Sequence, residues 1–198
     1  MVWQADPVDA SDLESDLAKT LITPEEISDR LAELSRDIER DYEGKDLLLV
    51  GVLKGAVMVM ADLARSLDRH IEMDWMAISS YGSGTTSSGV VRILKDLDTD
   101  ITGRHVLVVE DIVDTGLTLS WLISNLSSRG PASVEIFTLL RKPDAQRMQV
   151  KVNYVGFEIP DEFVVGYGLD YNNYYRNLPD IVTLKAEVIA AGGTSGRP

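Results

Sequence analysis

Cysteine is absent from this 198-residue chain, and histidine occurs only twice, at His70 and His105. Without cysteine the chain has no disulfide framework, no thiol nucleophile and no cysteine-based zinc site. The two histidines lie far apart in the sequence, which argues against a histidine-rich metal centre. Apolar runs are also short, and none reaches the roughly 18 uninterrupted residues of a membrane span. Thiol chemistry and a membrane-spanning helix within this sequence are therefore excluded.

Positive charge is scarce as well. Nineteen Lys and Arg residues against 32 Asp and Glu residues give a net charge of −13. Such a charge argues against broad electrostatic binding to nucleic acid or to an anionic membrane, so neither is expected as a partner. A small polyanionic ligand is still compatible, because local N–H groups, a few cations and Mg²⁺ can outweigh the global field. The acidic residues 1–20 lack the basic-then-apolar pattern of a signal peptide, so a cytoplasmic location is expected.

The length and the apolar content of the chain suit one globular domain. Hydrophobic residues make up 44% of the sequence and charged residues 26%, which is ordinary for such a domain. Strand and helix patterns alternate through the middle of the chain, which predicts one α/β domain with a parallel sheet. We expect an acidic, flexible extension over residues 1–20, the folded domain over residues 21–185, and a flexible tail over residues 186–198.

The most informative segment covers residues 105–119. Four consecutive aliphatic residues at 106–109 predict a buried parallel strand. Glu110, Asp111 and Asp114 follow, then a Thr-Gly-Leu-Thr turn over residues 115–118, and then an apolar helical pattern. Open α/β sheets bind ligands beyond the carboxyl ends of their strands, and a glycine-bearing loop at a helix start offers N–H groups to phosphate. The segment therefore predicts a site for a phosphorylated, hydroxyl-rich ligand.

Two other interpretations apply to these acids. They could be solvated loop or helix-cap groups gathered at a strand end. They could also form an Mg²⁺ cluster of the kind found in phosphate-handling enzymes and receiver domains. The continuation through residues 115–118 into a helix favours an anion site, because it places a phosphate-binding loop beside the carboxylates.

In this segment the chain resembles the type I phosphoribosyltransferases, whose phosphoribosyl-pyrophosphate motif matches residues 106–118. The resemblance implies an α/β fold with a central parallel sheet flanked by helices and a small hood, formed by the N-terminal part and residues 157–185. It implies that Glu110 and Asp111 hold the ribose hydroxyls and that Asp114 is the general base near the purine. The 5′-phosphate would be bound by Asp114, Thr115, Gly116, Leu117 and Thr118.

The same resemblance assigns pyrophosphate binding to three further places in the chain. Taken alone, Lys54 is an exposed charge and Gly55 a turn residue. In the family, the corresponding Leu-Lys-Gly loop binds pyrophosphate and often contains a cis peptide bond. Ser80 and Tyr81 would begin a mobile lid that reaches the pyrophosphate and excludes water. Arg176 would meet the pyrophosphate as a bidentate cation.

The purine pocket is implied by Lys142 and by the segment that begins at Phe163. Separately, these two residues are most simply a surface lysine and a core aromatic. Together they resemble the pocket of the hypoxanthine-guanine members of the family, in which Lys142 would donate to O6 of the base and Phe163 would stack on its ring. Val164 would offer backbone groups to the base. Asp170 would join Glu110 and Asp111 in binding Mg²⁺.

The implied activity is purine salvage: Mg²⁺-dependent transfer of a phosphoribosyl group from 5-phosphoribosyl 1-pyrophosphate to N9 of hypoxanthine or guanine, giving IMP or GMP. A different class, a ligand-sensing regulator that keeps the donor site, is disfavoured by the net charge of −13. The preference among hypoxanthine, guanine and xanthine stays open. By resemblance, a homodimer or a homotetramer is expected.

Overall fold

The computed structural model describes residues 15–80 and 91–192. The larger of two sheets has six strands, which are β2 (Leu47–Leu53), β3 (Glu72–Ser80), β4 (Val91–Lys95), β5 (His105–Val113), β6 (Ser133–Arg141) and β7 (Tyr154–Glu158). The smaller has three, which are β1 (Leu17–Ile22), β8 (Val164–Val165) and β9 (Ile181–Leu184). The helices are α1 (Pro24–Asp41), α2 (Val57–Ser66), α3 (Leu117–Ser127) and α4 (Ala186–Gly192), with a 3-10 turn at Pro143–Ala145.

The six-stranded sheet places β2 and β5 side by side at its centre. Its strand order is β4-β3-β2-β5-β6-β7, and every pairing is parallel except that of β4 with β3. Helices cover both faces, so a central strand is apolar along its length rather than alternating. In β2 all but the last residue are buried. Parallel pairing brings the carboxyl ends of β2, β5 and β6 to the same edge of the sheet.

The two faces of the sheet have separate cores. Side chains alternate along a strand, so Leu49 faces one core and Val50 the other. The first core receives α1 and α2, and the second receives α3. The helix α1 begins with a capping box, in which Thr23 and Glu26 each accept the other's backbone N–H.

The three-stranded sheet is antiparallel, in the order β1-β9-β8. Its strands come from the N-terminal part of the chain and from residues 157–185, the two regions that the sequence assigns to the hood. The fold class expected from the sequence, a mostly parallel sheet flanked by helices with a small second sheet, is confirmed. None of the helices within residues 15–80 and 91–192 is long and apolar enough to cross a membrane.

The expected limits of the folded domain differ from those observed at both ends. The extension was expected to reach residue 20, but β1 begins at Leu17 and pairs with β9. The flexible tail was expected from residue 186, but α4 occupies Ala186–Gly192. The reason is packing on the small sheet, whose core of buried residues is contacted by Leu17, Val188 and Ile189. Residues 1–14, 81–90 and 193–198 lie outside the described residues.

Candidate active site

A cleft of about 360 Å³ opens at the carboxyl ends of β2, β5 and β6. Its walls come from the end of β2 and the loop after it, the end of β5, the residue after β6, and the chain between β7 and β9. The lining residues are Val52, Leu53, Lys54, Gly55, Glu110, Asp111, Ile112, Asp114, Lys142, Phe163, Val164, Leu169, Asp170 and Arg176. The topology thus gathers into one space residues that are far apart in the sequence.

Two carboxyl groups lie at the end of β5 in a poorly hydrated environment. Burial raises the pKa of Glu110 well above its ordinary value, and the neighbouring charge of Asp111 raises it further. Burial also raises the pKa of Asp111 to about 6, although backbone N–H groups and the charge of Arg176 act in the opposite direction. Sugar hydroxyls or a cation would favour the charged forms of both groups.

Arg176 and Asp170 face each other across a turn beside these acids. The Nη2 atom of Arg176 lies 2.6 Å from Oδ1 of Asp170, and its Nη1 atom donates to the carbonyl oxygen of Gly168 at 2.7 Å. The backbone N–H of Asn173 donates to Oδ2 of Asp170 at 2.8 Å. Both charged side chains are therefore held by the local backbone before any ligand arrives.

The loop after β2 approaches Asp111 more closely than a side chain would allow. A Cβ atom on Gly55 would collide with the carboxylate of Asp111, so only glycine fits at this position. The Leu53–Lys54 peptide bond is cis. Lys54 itself is exposed beside the acids. The tripeptide alone indicates a turn residue at Gly55, and the structure adds that the Gly55 backbone passes against the carboxylate of Asp111.

The start of α3 follows directly after the acids. Gly116 has a left-handed backbone with φ +77° and carries no side chain that could cap the helix. The N–H groups of the first turn therefore have no acceptor from this position, which suits an anion. Two hydrogen bonds fix the loop, because the backbone N–H groups of Arg147 and Met148 donate to the carbonyl oxygen of Thr115 at 3.0 and 3.1 Å. Asp114 is exposed in the cleft.

The opposite wall carries a lysine and an aromatic ring. Lys142 follows β6, its side chain is only 10% exposed, and its Nζ atom lies 3.3 Å from Oδ1 of Asp161. Phe163 is 45% exposed and its ring meets that of Tyr171 edge to face, with the ring centroids 5.5 Å apart. The hydroxyl of Tyr171 donates to the carbonyl oxygen of Ile189 in α4. An exposed ring held by a second ring offers a stacking surface for a planar ligand.

The structure brings most of the predicted site residues into one cleft, and their individual roles stay predictions. Ten of them are among the lining residues: Lys54, Gly55, Glu110, Asp111, Asp114, Lys142, Phe163, Val164, Asp170 and Arg176. Thr115, Gly116, Leu117 and Thr118 lie next to the cleft at the start of α3 and are not part of its lining. The side chain of Ser80 and the whole of Tyr81 lie outside the described residues.

Four residues of this region were missed from the sequence. Val52, Ile112 and Leu169 line the cleft, and Asp161 pairs with Lys142. Strand alternation would not have placed Ile112, because it packs against the same core as Leu107 and Val109, which lie on the opposite face in a regular strand. Asp161 carried no signal, because its partner is 19 residues away in the sequence.

The proposed magnesium ligands form an incomplete site. Within residues 15–80 and 91–192, no three His, Cys, Asp or Glu side chains converge to hold a metal ion unaided. Mg²⁺ is commonly bound through one or two carboxylates together with substrate phosphates and water. The paired acids of β5, whose charged forms are disfavoured by burial, fit that kind of site.

An uncapped helix start, adjacent acids and an exposed aromatic ring at the strand ends of an α/β sheet suit a phosphorylated ligand together with a planar one. In agreement, the family model of the phosphoribosyl transferase domain matches residues 20–172, so the chain belongs to the phosphoribosyltransferase family. The resemblance seen in the sequence is confirmed.

Individual relatives show which members of the family the chain is similar to. The chain is 57% identical over 179 residues to the hypoxanthine-guanine phosphoribosyltransferase of Mycobacterium avium, covering 87% of this chain and 88% of that protein. A hypoxanthine phosphoribosyltransferase structure from Staphylococcus aureus matches with a TM-score of 0.88 and 48% identity, covering 91% and 98% of the two chains. A Trypanosoma cruzi hypoxanthine phosphoribosyl transferase structure, which concerns the role of the C-terminal region in oligomeric state and activity, matches with a TM-score of 0.87 and 44% identity, covering 91% and 97%.

The raised pKa of Glu110 predicts that this acid destabilises the ligand-free fold at neutral pH. The folded pKa lies above the unfolded one, so its cost is absent below about pH 4 and grows as the pH rises through the folded pKa. Glu110→Gln should therefore raise the melting temperature at pH 8 by a few degrees, since about 1 kcal/mol shifts it by roughly 2–4 °C. The gain should be smaller at pH 5. Calorimetric scans at both pH values measure this, with Glu162→Gln, an exposed site, as the control. A gain that does not change with pH would contradict the assignment.

Proposed function

We propose that this protein is a Mg²⁺-dependent hypoxanthine-guanine phosphoribosyltransferase of purine salvage. It transfers the phosphoribosyl group of 5-phosphoribosyl 1-pyrophosphate to N9 of hypoxanthine or guanine, and releases IMP or GMP with pyrophosphate. The observation that carries this proposal is the single cleft in which the β5 acids, the Lys54 loop and the pair of Lys142 with Phe163 face a common space. Similarity to enzymes bearing that name over most of the chain supports it.

The donor is held along the strand ends. Glu110 and Asp111 accept hydrogen bonds from the ribose hydroxyls, which stabilise their charged forms. Residues 114–118 surround the 5′-phosphate with N–H groups at the start of α3 and with the hydroxyls of Thr115 and Thr118. Lys54, Gly55 and Arg176 lie at the cleft where the pyrophosphate would be bound. Ser80 and Tyr81 would close over it and exclude water from the reacting centre.

Mg²⁺ would be held by the carboxylates of Glu110, Asp111 and Asp170 together with oxygen atoms of the donor. When bound, it offsets the negative charge that builds on the leaving pyrophosphate. The cleft itself supplies two further cations for that charge, Lys54 and Arg176. Arg176 is oriented in advance by its contacts with Gly168 and Asp170, so its guanidinium needs little reordering.

The transfer step exchanges one bond at C1′ of the ribose for another. The bond from C1′ to the pyrophosphate oxygen lengthens first, and its electrons leave with the pyrophosphate. Positive charge develops on the sugar, and N9 of the purine then attacks C1′ from the opposite face, which gives the β-nucleotide. Asp114 takes the proton that the purine ring loses, at N7, and its negative charge favours the cationic sugar.

Recognition of a 6-oxopurine rests on Lys142 and Phe163. The ammonium group can only donate hydrogen bonds, so it favours the carbonyl O6 and rejects the amino group of adenine. Asp161 pairs with the ammonium group and limits its movement. Phe163 stacks on the base, and the backbone at Val164 contacts its edge. The ranking of hypoxanthine, guanine and xanthine depends on backbone groups around the 2-position.

We also propose that the protein is a homodimer or a homotetramer in the cytoplasm. Val57 and Met58, at the start of α2 directly after the pyrophosphate loop, are 38% and 37% exposed, and apolar surface of this kind favours association. A donor that carries phosphate and pyrophosphate does not cross a membrane unaided, which favours a cytoplasmic location.

Asp114→Asn tests the general base. An asparagine cannot take a proton, so kcat should fall about 10²- to 10⁴-fold while the fold is retained. Steady-state kinetics with hypoxanthine, and circular dichroism, check the two parts of this expectation. Asp144→Asn is the matched control, since Asp144 is exposed on the 3-10 turn outside the cleft. A near-wild-type kcat for Asp114→Asn would show that another group moves the proton.

Lys142→Met tests base recognition. The variant keeps much of the side-chain volume and removes the donor to O6, so kcat/KM for hypoxanthine should fall about 10- to 150-fold, as for the loss of a charged hydrogen bond. The KM for the phosphoribosyl donor should change by less than about twofold. Asp161 is 60% exposed, so it is not left as a buried charge. Lys151→Met, at an exposed site, is the control. Equal losses toward both substrates would contradict the role.

A further inference from the structure

Backbone strain is concentrated in one short part of the described chain. The non-glycine residues with positive φ within residues 15–80 and 91–192 are Tyr167, Asn172, Asn173 and Tyr175. They lie in the segment 166–176, which also carries Asp170 and ends at Arg176. A left-handed backbone is unfavourable for most non-glycine residues, a bulky tyrosine above all, and persists only where the surroundings impose it. Contacts with the rest of the fold therefore hold this segment in its conformation.

Tyr167 makes a contact that holds the segment to α2. Its side chain is 9% exposed and packs in the same core as Val59 and Leu63 of that helix. Its hydroxyl donates to Oδ2 of Asp62, which also pairs with Arg65 on the helix surface. Burial and the charge of Asp62 raise the pKa of Tyr167, so the hydroxyl keeps its proton. The segment is thereby fixed to one turn of α2.

That helix is continuous with the pyrophosphate loop. Gly55 lies two residues before the first residue of α2, so a shift of the helix moves the loop. A second contact joins the same parts, because the backbone of Gly168 lies against the carbonyl oxygen of Gly55, leaving no room for a Cβ atom. Gly168 in turn binds Arg176 twice, accepting from its Nη1 and donating its N–H to the Arg176 carbonyl oxygen at 2.9 Å.

We propose that Tyr167 is a positioning residue for pyrophosphate binding, and that it acts through its hydrogen bond to Asp62. The bond sets the position of segment 166–176 on α2. It thereby sets the distance between the loop that carries Lys54 and Gly55 and the segment that carries Asp170 and Arg176. Two cations bind one pyrophosphate well only when their spacing is fixed beforehand, because small misplacements cost large factors in rate or affinity. This inference rests on the function proposed above.

If the Tyr167 hydroxyl only stabilised the fold, its removal would lower the melting temperature without weakening pyrophosphate binding. Tyr154 is the comparison residue. Tyr154 is also buried, at 6% exposure, and its hydroxyl donates to Oδ2 of Asp41 at 3.0 Å. That bond joins β7 to α1 and lies outside the cleft. Tyr167→Phe and Tyr154→Phe therefore each remove a hydroxyl that donates to a carboxylate from a mostly buried site. Only the Tyr167 hydroxyl joins segment 166–176 to α2.

The test compares wild type, Tyr167→Phe and Tyr154→Phe. Both variants should lose about 2–4 °C in melting temperature. Only Tyr167→Phe should raise the KM for the phosphoribosyl donor and the calorimetric Kd for magnesium pyrophosphate, by roughly tenfold, with the KM for hypoxanthine unchanged. Asp62→Ala should give the same rise, because alanine offers the hydroxyl no acceptor, and the double variant should give no more than either single change.

The outcomes distinguish failure of the positioning role from failure of the proposed function. If the wild type binds pyrophosphate and turns over, and Tyr167→Phe binds as tightly as Tyr154→Phe, the positioning role is wrong and the proposed function stands. An equal rise in the KM for hypoxanthine and for the donor would also overturn it, since that pattern indicates general loosening. If the wild type binds no pyrophosphate, both proposals fail.

Discussion

Glu110, which is buried, and Asp111, which is half-buried, are adjacent near the end of β5, where their charged forms are poorly stabilised in the free protein. The fold can hold them because the strand that carries them is fixed by parallel pairing on both sides and by an apolar core on each face. The cost of burying the two acids is offset by that packing, and in the proposed function ligand hydroxyls and Mg²⁺ would stabilise their charged forms. Destabilising groups retained at a site in this way are typical of active sites, where function rather than stability decides the residue.

The surroundings of these acids follow from their position. Gly55 must lack a side chain because its backbone passes against Asp111. Arg176 supplies a nearby positive charge, and it is held by Gly168 and Asp170 so that it does not collapse onto the acids. The strained segment that contains these groups is anchored by Tyr167 to α2, which continues from the Gly55 loop. The Gly55 loop, α2 and segment 166–176 therefore form one connected unit, which Phe163 joins through its ring contact with Tyr171, whereas Lys142 is held separately at the end of β6.

Much of this arrangement could be predicted from the sequence, because its signals are local. The apolar strands, the acids after residue 109 and the glycine turn before α3 are adjacent in the chain, so their pattern indicates both the fold and the site. The parts that were missed depend on distant partners. The strand β1 has exposed residues at 18–20 and is recognisable only by its pairing with β9. Likewise, the importance of Asp161 is visible only from its contact with Lys142, and that of Tyr167 only from its hydrogen bond to Asp62.

The central claim is that this cleft joins a phosphoribosyl group to a 6-oxopurine. The most direct measurement is a spectrophotometric assay of the unmodified protein with 5-phosphoribosyl 1-pyrophosphate and Mg²⁺, in which hypoxanthine, guanine, xanthine and adenine are offered separately. The account predicts turnover of hypoxanthine or guanine, loss of that turnover with EDTA, and no turnover of adenine. Absence of turnover with every base, while calorimetry shows that the donor still binds, would contradict it and would indicate a ligand-sensing regulator instead.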